Sequence, residues 1–238
     1  MWSIVIIITA LKMPHASTPS LLAKAAPLGG RRERHRAQTR DRLYRAAMDL
    51  FAQRGFLETT VEDITEAADV GKGTFFNYFP TKEHILGEFG GERVAAVQRA
   101  LDKARTTDRP VMDVIRELAG NAAGQSDKSA ALLRAIFAAH ASCASVREQL
   151  IKRSQTARRI LAEIYLLGQK RGEIRRDIPA TELARLTQIV FMGVTISWSI
   201  RPESSLRKTS EEIWNLISPN WEIASRRAHR KVRRRGKG

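Results

Sequence analysis

Apolar residues recur at helical spacing along most of this chain. Leu43, Ala46, Ala47, Leu50 and Phe51 fall three and four apart, with Arg40, Arg42 and Arg45 on the other faces. That pattern predicts an amphipathic helix whose periodicity starts near Arg36. Gly55 is the expected stop, and Phe56 stands where a capping contact belongs. A short helix is expected from Thr60, because Thr60 and Asp63 have capping-box spacing and Val61, Ile64, Thr65 and Ala68 make a narrow inner face. Asp69, Val70 and Gly71 can turn the chain. A second short helix follows, with Pro80 as its expected end and Thr81 as N-cap of the helix after it.

The remainder reads as helix after helix. Val94, Val97 and Leu101 continue the fourth, and Pro110 precedes Val111, Val114, Ile115 and Leu118. After a polar break come Leu132, Leu133, Ile136 and Phe137, then a longer helix over Val146 to Gly168. Leu183, Leu186, Ile189, Val190 and Val194 mark a strongly apolar helix ending near Trp198. Thr209 and Glu212 suggest a capping box before Ile213, Leu216 and Ile217. Strand-like alternation and internal repeats are missing from the pattern, so the expected class is all-α with about nine helices.

Charge changes the picture. The chain has 238 residues and a net charge of +16, which makes a polyanion the default partner. Arg31 to Arg45 holds seven arginines against two acids, and Arg226 to Gly238 holds eight lysines or arginines against none. These two stretches carry thirteen of the sixteen net charges. Cys143 is the single cysteine, so disulfide frameworks and zinc clusters are excluded and a reducing cytoplasm fits. As a lone cysteine in an alanine-rich stretch it is expected in the core. The apolar start, Ile4 to Leu11, is far too short to span a bilayer, and no membrane partner is expected.

Helix, short helix, tight turn, short helix is the layout of a helix-turn-helix. The second short helix would enter a major groove. Gly71 and Gly73 would let its backbone approach phosphate closely, and Lys72, Thr74, Asn77 and Tyr78 would supply hydrogen-bonding tips. Phe75 and Phe79, four apart, would anchor its back, and Lys82 would reach a phosphate. The run Gly71-Lys72-Gly73-Thr74 is not a phosphate-binding loop, because Glu66 and Gly73 stand where that motif needs Gly and Ser or Thr. The chain holds no H-E-x-x-H and no G-x-S-x-G, so it is not expected to be an enzyme, and no cofactor or metal is expected. His140 reads as a packed or edge histidine. Met112, Phe137, Met192 and Trp198 stand at core spacing.

At these residues a resemblance enters. TTVEDITEAADVGKGTFFNYFPTKEHIL, Thr59 to Leu86, resembles the signature of the TetR family of bacterial transcriptional regulators, with a good match from about Thr39 to Leu86 and a looser one over GEIRRDIPATELARL. The resemblance implies a three-helix DNA-binding head joined by the fourth helix to a larger helical part. That part would dimerise through its last two helices and enclose a pocket for a small-molecule effector. By position, Thr60, Lys72, Thr74, Tyr78 and Lys82 become the expected DNA contacts, and the reading of the residues themselves adds Gly73 and Asn77. Two departures are visible: Gly71 stands where many members have Ser, and Asn77 where an aromatic is common.

The expected organisation is a disordered extension over 1–30, a helix-turn-helix domain over 31–82 with its motif at about 60–79, a ligand-binding and dimerisation domain over 83–225, and a basic disordered tail over 226–238. The expected function is a sequence-specific DNA-binding regulator, a cytoplasmic homodimeric repressor. It would be released from a pseudo-palindromic double-stranded operator by an unidentified small molecule. The last two helices, about Ala180 to Trp198 and Thr209 to Ile217, would form the dimer interface, with Val190 in it. The rival readings are a helical small-molecule-binding protein or enzyme with incidental basic ends, and a non-specific DNA-binding protein.

Overall fold

The computed structural model describes residues 30–126 and 129–223. Both the expected extension up to residue 29 and the basic tail lie outside them. The chain divides into two compact units, 1–38 and 39–238, and every contact discussed below lies within the second. The described residues form nine α-helices: α1 (Arg31–Arg54), α2 (Val61–Ala67), α3 (Lys72–Phe76), α4 (Lys82–Thr106), α5 (Val111–Ser126), α6 (Ala130–Ser142), α7 (Ala144–Lys170), α8 (Ala180–Ile200) and α9 (Leu206–Ile217). A single 3-10 turn, Ser218–Asn220, follows. Among the described residues there is no strand, only an isolated antiparallel bridge between Ile174 and Glu222 that ties the chain after α9 to the α7–α8 connector.

The apolar stripes read from the sequence condense into three clusters. In the first, Leu43, Phe51, Phe56, Ile64, Phe75, Phe79 and Ile85 gather residues of α1 to α4 with the turns between them. Ile136 and Ala139 of α6 and Val146 of α7 close the same cluster. The second is aromatic at its centre. Tyr165 and Trp214 each meet Trp221 edge-on, and Phe191 stacks on Trp214 at 5.9 Å. The Tyr165 hydroxyl is satisfied by Thr187 at 2.6 Å, and burial pushes its pKa up, so it is a neutral partner throughout the physiological range. Trp214 Nε1 and Ser218 Oγ, one turn apart, are buried with no hydrogen-bond partner among the described residues. The third cluster joins Leu133, Val194, Trp198 and Leu206.

Several expectations need correction. The first helix begins at Arg31, earlier than its apolar periodicity, because arginines and Gln on a solvent face are good helix formers without marking a face. The helix α9 starts at Leu206, not after Thr209. Ser205 is its cap, accepting the Lys208 N–H at 3.1 Å, and the early start buries Leu206 in line with Ser210 and Trp214. Thr209 therefore sits inside the first turn, its hydroxyl bonded back to the Ser205 carbonyl. Cys143 is not in the core. It is half-buried in the corner between α6 and α7, where Ser145 Oγ at 3.2 Å helps to lower its thiol pKa. Met192 is exposed, whereas Met112 and Trp198 are buried. His140 is packed, and desolvation lowers its pKa.

Two glycines are set by geometry. Gly55 has φ +90°, ends α1 and donates to the Phe51 carbonyl at 3.0 Å, which brings Phe56 onto Phe51 with ring centroids 5.1 Å apart. At Gly168 a methyl group would lie 2.4 Å from Val111 Cγ2 and 2.7 Å from Ile174 Cδ1, so α7 passes the start of α5 at backbone distance. Gly168→Ala is expected to lower the unfolding free energy by about 1–3 kcal/mol through overpacking. Gly91→Ala, at a helix position with open space, is expected to be neutral or to stabilise by up to about 1 kcal/mol. Urea unfolding of the three proteins at one fixed concentration checks both.

Candidate nucleic-acid interface

The α2 helix is fixed at its start by a reciprocal cap. Thr60 Oγ1 accepts the Asp63 N–H at 3.1 Å, and Asp63 Oδ2 accepts the Thr60 N–H at 2.8 Å and its hydroxyl at 2.7 Å. These donors, the Thr60 backbone N–H foremost, hold the Asp63 carboxyl below the usual carboxylate range. A depressed carboxylate pKa stabilises the fold above the ordinary Asp range and loses that contribution only as the solution becomes strongly acidic. The helix ends in a Schellman turn: Val70 N–H bonds to the Thr65 carbonyl at 3.0 Å and Asp69 N–H to the Glu66 carbonyl at 3.1 Å. Asp69, not Gly71, takes the left-handed conformation, with φ +50°. Asp tolerates it better than most side chains.

The following helix, α3, is only Lys72–Phe76, with Gly71 as N-cap and Asn77 as C-cap. It ends before Pro80. The Asn77 N–H closes it on the Gly73 and Thr74 carbonyls. Five residues cannot hold a helix by themselves. Phe75, wholly buried, and Phe79, with rings 5.8 Å apart, hold α3 on the first cluster. Arg40 lies over the Phe79 ring and pairs with Glu88 of α4.

The outward side of α3 and its cap presents Lys72, Gly73, Phe76 and Asn77, all exposed, while Thr74 and Tyr78 are half-buried at its edge. The Lys72 ammonium reaches across the turn to Glu62, whose carboxyl pKa is lowered chiefly by that hydrogen bond. Both partners are more than half exposed, so the pair adds little stability. The Asn77 side chain has no partner among the described residues. Neither Gly71 nor Gly73 has a positive φ, and a methyl group on either would meet nothing within 4 Å. Among the described residues nothing requires glycine at these two places.

Two of the expected contact residues are committed elsewhere. Thr60 is the α2 cap. Lys82 opens α4, and its ammonium donates to the carbonyls of Phe56 at 2.9 Å, Leu57 at 3.3 Å and Thr59 at 2.8 Å, 4.6 Å above the Phe56 ring. Its three N–H donors are thus met by the turn after α1. Phe76 was absent from the expected contacts and is 48% exposed. Its signal was available: Phe75 and Phe76 are adjacent on a helix, about 100° apart, so a narrow inner face can bury only one of them.

A capped helix, a tight turn and a short second helix with a slim polar outer face define the helix-turn-helix class of DNA-binding regulators. The model of the bacterial regulatory proteins of the tetR family matches residues 43–89. The regulator TcmR of Streptomyces glaucescens is 42% identical over 74 residues, 31% of this chain and 33% of that protein. The repressor DhaR of Mycobacterium sp. (strain GP1) is 26% identical over 195 residues, 80% of this chain and 98% of that one. Among solved structures, Thermus thermophilus FadR, a TetR-family transcriptional repressor in complex with lauroyl-CoA, is 29% identical, with a TM-score of 0.55 over 74% of this chain and 92% of that one. The fold is also that of SmeT, the repressor of the Stenotrophomonas maltophilia efflux pump SmeDEF, at 17% identity and a TM-score of 0.65 over 79% and 93% of the chains. Over residues 43–89 the chain thus matches the tetR family of bacterial regulatory proteins, and over most of its length it is similar to transcriptional repressors such as DhaR and FadR.

Two outcomes are expected from this geometry. Gly73→Ala should keep or slightly raise stability, since Ala is the better helix former, yet weaken DNA binding by roughly tenfold, about 1.4 kcal/mol. Melting curves and mobility shifts on the same preparations check it; an unchanged affinity would show that the bare backbone has no role outside the fold. Lys82→Ala should cost about 1–3 kcal/mol of stability, because three carbonyls, two of them in part-buried hydrogen bonds, lose a charged donor. It should weaken binding to all DNA sequences alike. A pure phosphate contact would leave the urea midpoint where it was.

Proposed function

We propose that the protein is a cytoplasmic homodimeric repressor, not an enzyme, that grips a pseudo-palindromic operator in double-stranded DNA and is released by a small-molecule effector. The observation that carries the reading is the outer face of α3, where Lys72, Gly73 and Asn77 are exposed and the glycine serves no internal need. In this reading residues 31–82 are the DNA-binding head, 83–225 the effector and dimerisation domain, and 226–238 a tail adding sequence-independent affinity. Of the contact residues, Lys72, Gly73, Thr74, Asn77 and Tyr78 face or flank the groove. Thr60 and Lys82 act mainly by holding α2 and α4 in place. The arginines of α1 add phosphate contacts and a steep salt dependence.

Support for a dimer comes from α8. Leu183, Ala184, Thr187, Val194 and Trp198 are buried, while Ile189, Met192, Ile196 and Ile200, three to four residues apart, form an exposed apolar stripe on the opposite side. By length and composition this helix could cross a membrane, but its inner half is part of the core. An exposed stripe of that kind suits a second copy of the same helix. Val190 packs inward against the third cluster and is not on the stripe. Support for an effector comes from the FadR structure, a complex with lauroyl-CoA, and from Trp214 Nε1 and Ser218 Oγ, unpartnered among the described residues, which a ligand bearing a hydrogen-bond acceptor would satisfy. Such a ligand releases DNA only if it binds better to the arrangement of heads that does not fit the operator.

The reading is tested by mobility shift and footprinting on DNA upstream of the protein's own gene and its neighbours. One protected pseudo-palindrome that survives competitor DNA is expected; uniform binding to every fragment would leave only a non-specific DNA-binding protein. Ile196→Glu is expected to give a soluble monomer by sedimentation, with operator affinity reduced at least tenfold. A dimer from this variant would remove α8 from the interface.

A further inference from the structure

Phe76 is a large apolar side chain, 48% exposed, in the middle of a surface that is otherwise polar or bare backbone. It stands four residues after Lys72 and three after Gly73, so it shares their side of α3, and the exposed C-cap Asn77 follows it directly. It is not a loose side chain. The wholly buried Phe75 meets it edge-to-face at 85° with centroids 5.4 Å apart, so the exposed ring is held by a fixed one.

The surroundings restrict what can cover this ring. A protein-docking surface would carry a contiguous apolar patch. Here Lys72, Gly73 and Asn77 offer a cation, a bare backbone and an amide around a single ring. The occupant must be anionic and hydrogen-bonding and carry an isolated apolar group. The major groove of DNA has one such group, the C5 methyl of thymine.

Resting on the reading that α3 enters the groove, we propose that Phe76 is a specificity-determining residue that recognises a thymine methyl in each half-site. The ring covers the methyl, while Asn77 and Lys72 address neighbouring base edges and phosphate. A cytosine at that position lacks the methyl, and a purine presents none, so the preference is for thymine.

The test uses the full-length protein and its operator as obtained by binding-site selection. Each thymine is replaced in turn by deoxyuridine, which removes the methyl and leaves base pairing and backbone unchanged. At one thymine per half-site the wild type should lose about fourfold in affinity, the ratio that corresponds to about 0.8 kcal/mol for one buried carbon. Phe76→Ala should bind more weakly and be indifferent to deoxyuridine at that position. Phe76→Leu, which keeps an apolar contact, should retain part of the penalty. Wild-type indifference to every substitution overturns the assignment, as does a full deoxyuridine penalty that persists in Phe76→Ala. Loss of the dimer in Phe76→Ala by sedimentation also overturns it, since the ring would then be a protein contact. If wild type selects no sequence at all, the operator reading fails and takes this proposal with it. A clear selected sequence without a methyl effect sinks the Phe76 assignment alone.

Discussion

The Lys82 ammonium sits where three stretches of chain converge, and the geometry of the helix-turn-helix depends on it. It opens α4 yet spends its donors on the turn between α1 and α2, meeting the carbonyls of Phe56, Leu57 and Thr59. Thr59 is itself wholly buried, its hydroxyl bonded to the Gly55 carbonyl at 2.7 Å. One cation therefore fixes the end of α1, the approach to α2 and the first residue of α4. The short α3 hangs between fixed points on both sides. A five-residue helix has too few internal hydrogen bonds to define its own direction, so its orientation is imposed by these anchors and by Phe75 and Phe79 beneath it.

The arginine-rich first helix has a second task besides attracting a polyanion. Arg40 pairs with Glu88 and covers Phe79, Arg42 donates to the Asp69 carbonyl at 3.3 Å, and Arg54 meets Asp63 at 3.3 Å. Each links α1 to a different neighbour: α4, the turn before α3, and α2. Part of the basic charge thus braces the motif. The exposed ion pairs contribute little energy singly, but their geometry is distributed around the turn that sets α3.

The sequence made the helical class legible, because period and caps are local signals. The Thr60–Asp63 box, the Gly55 stop and the Phe56 contact with Phe51 all follow from residues within five positions of one another. Boundaries that depend on distant partners were less legible. The α9 start is decided by burial of Leu206 in the third cluster, and the end of α3 by the Asn77 backbone rather than by Pro80. Lys82 could be located as the start of a helix, but nothing local shows that its partners are carbonyls more than twenty residues earlier. Val190 and Ile189 look alike in a hydropathy pattern; only the packing separates the one that faces the third cluster from the one left outside.

The first apolar cluster takes in Ile136 and Ala139 of α6 and Val146 of α7 along with the residues of the helix-turn-helix. The DNA-reading part is therefore not a self-sufficient module bolted onto a carrier. Residues of the α6–α7 corner complete its apolar cluster. A chimera that joins residues 31–82 to the body of another regulator would separate their apolar residues from Ile136, Ala139 and Val146, with which they share this cluster. On the proposed reading of α3, an exchange of specificity by recombination moves the corner with the head, whereas point substitution on the outer face of α3 leaves this cluster untouched.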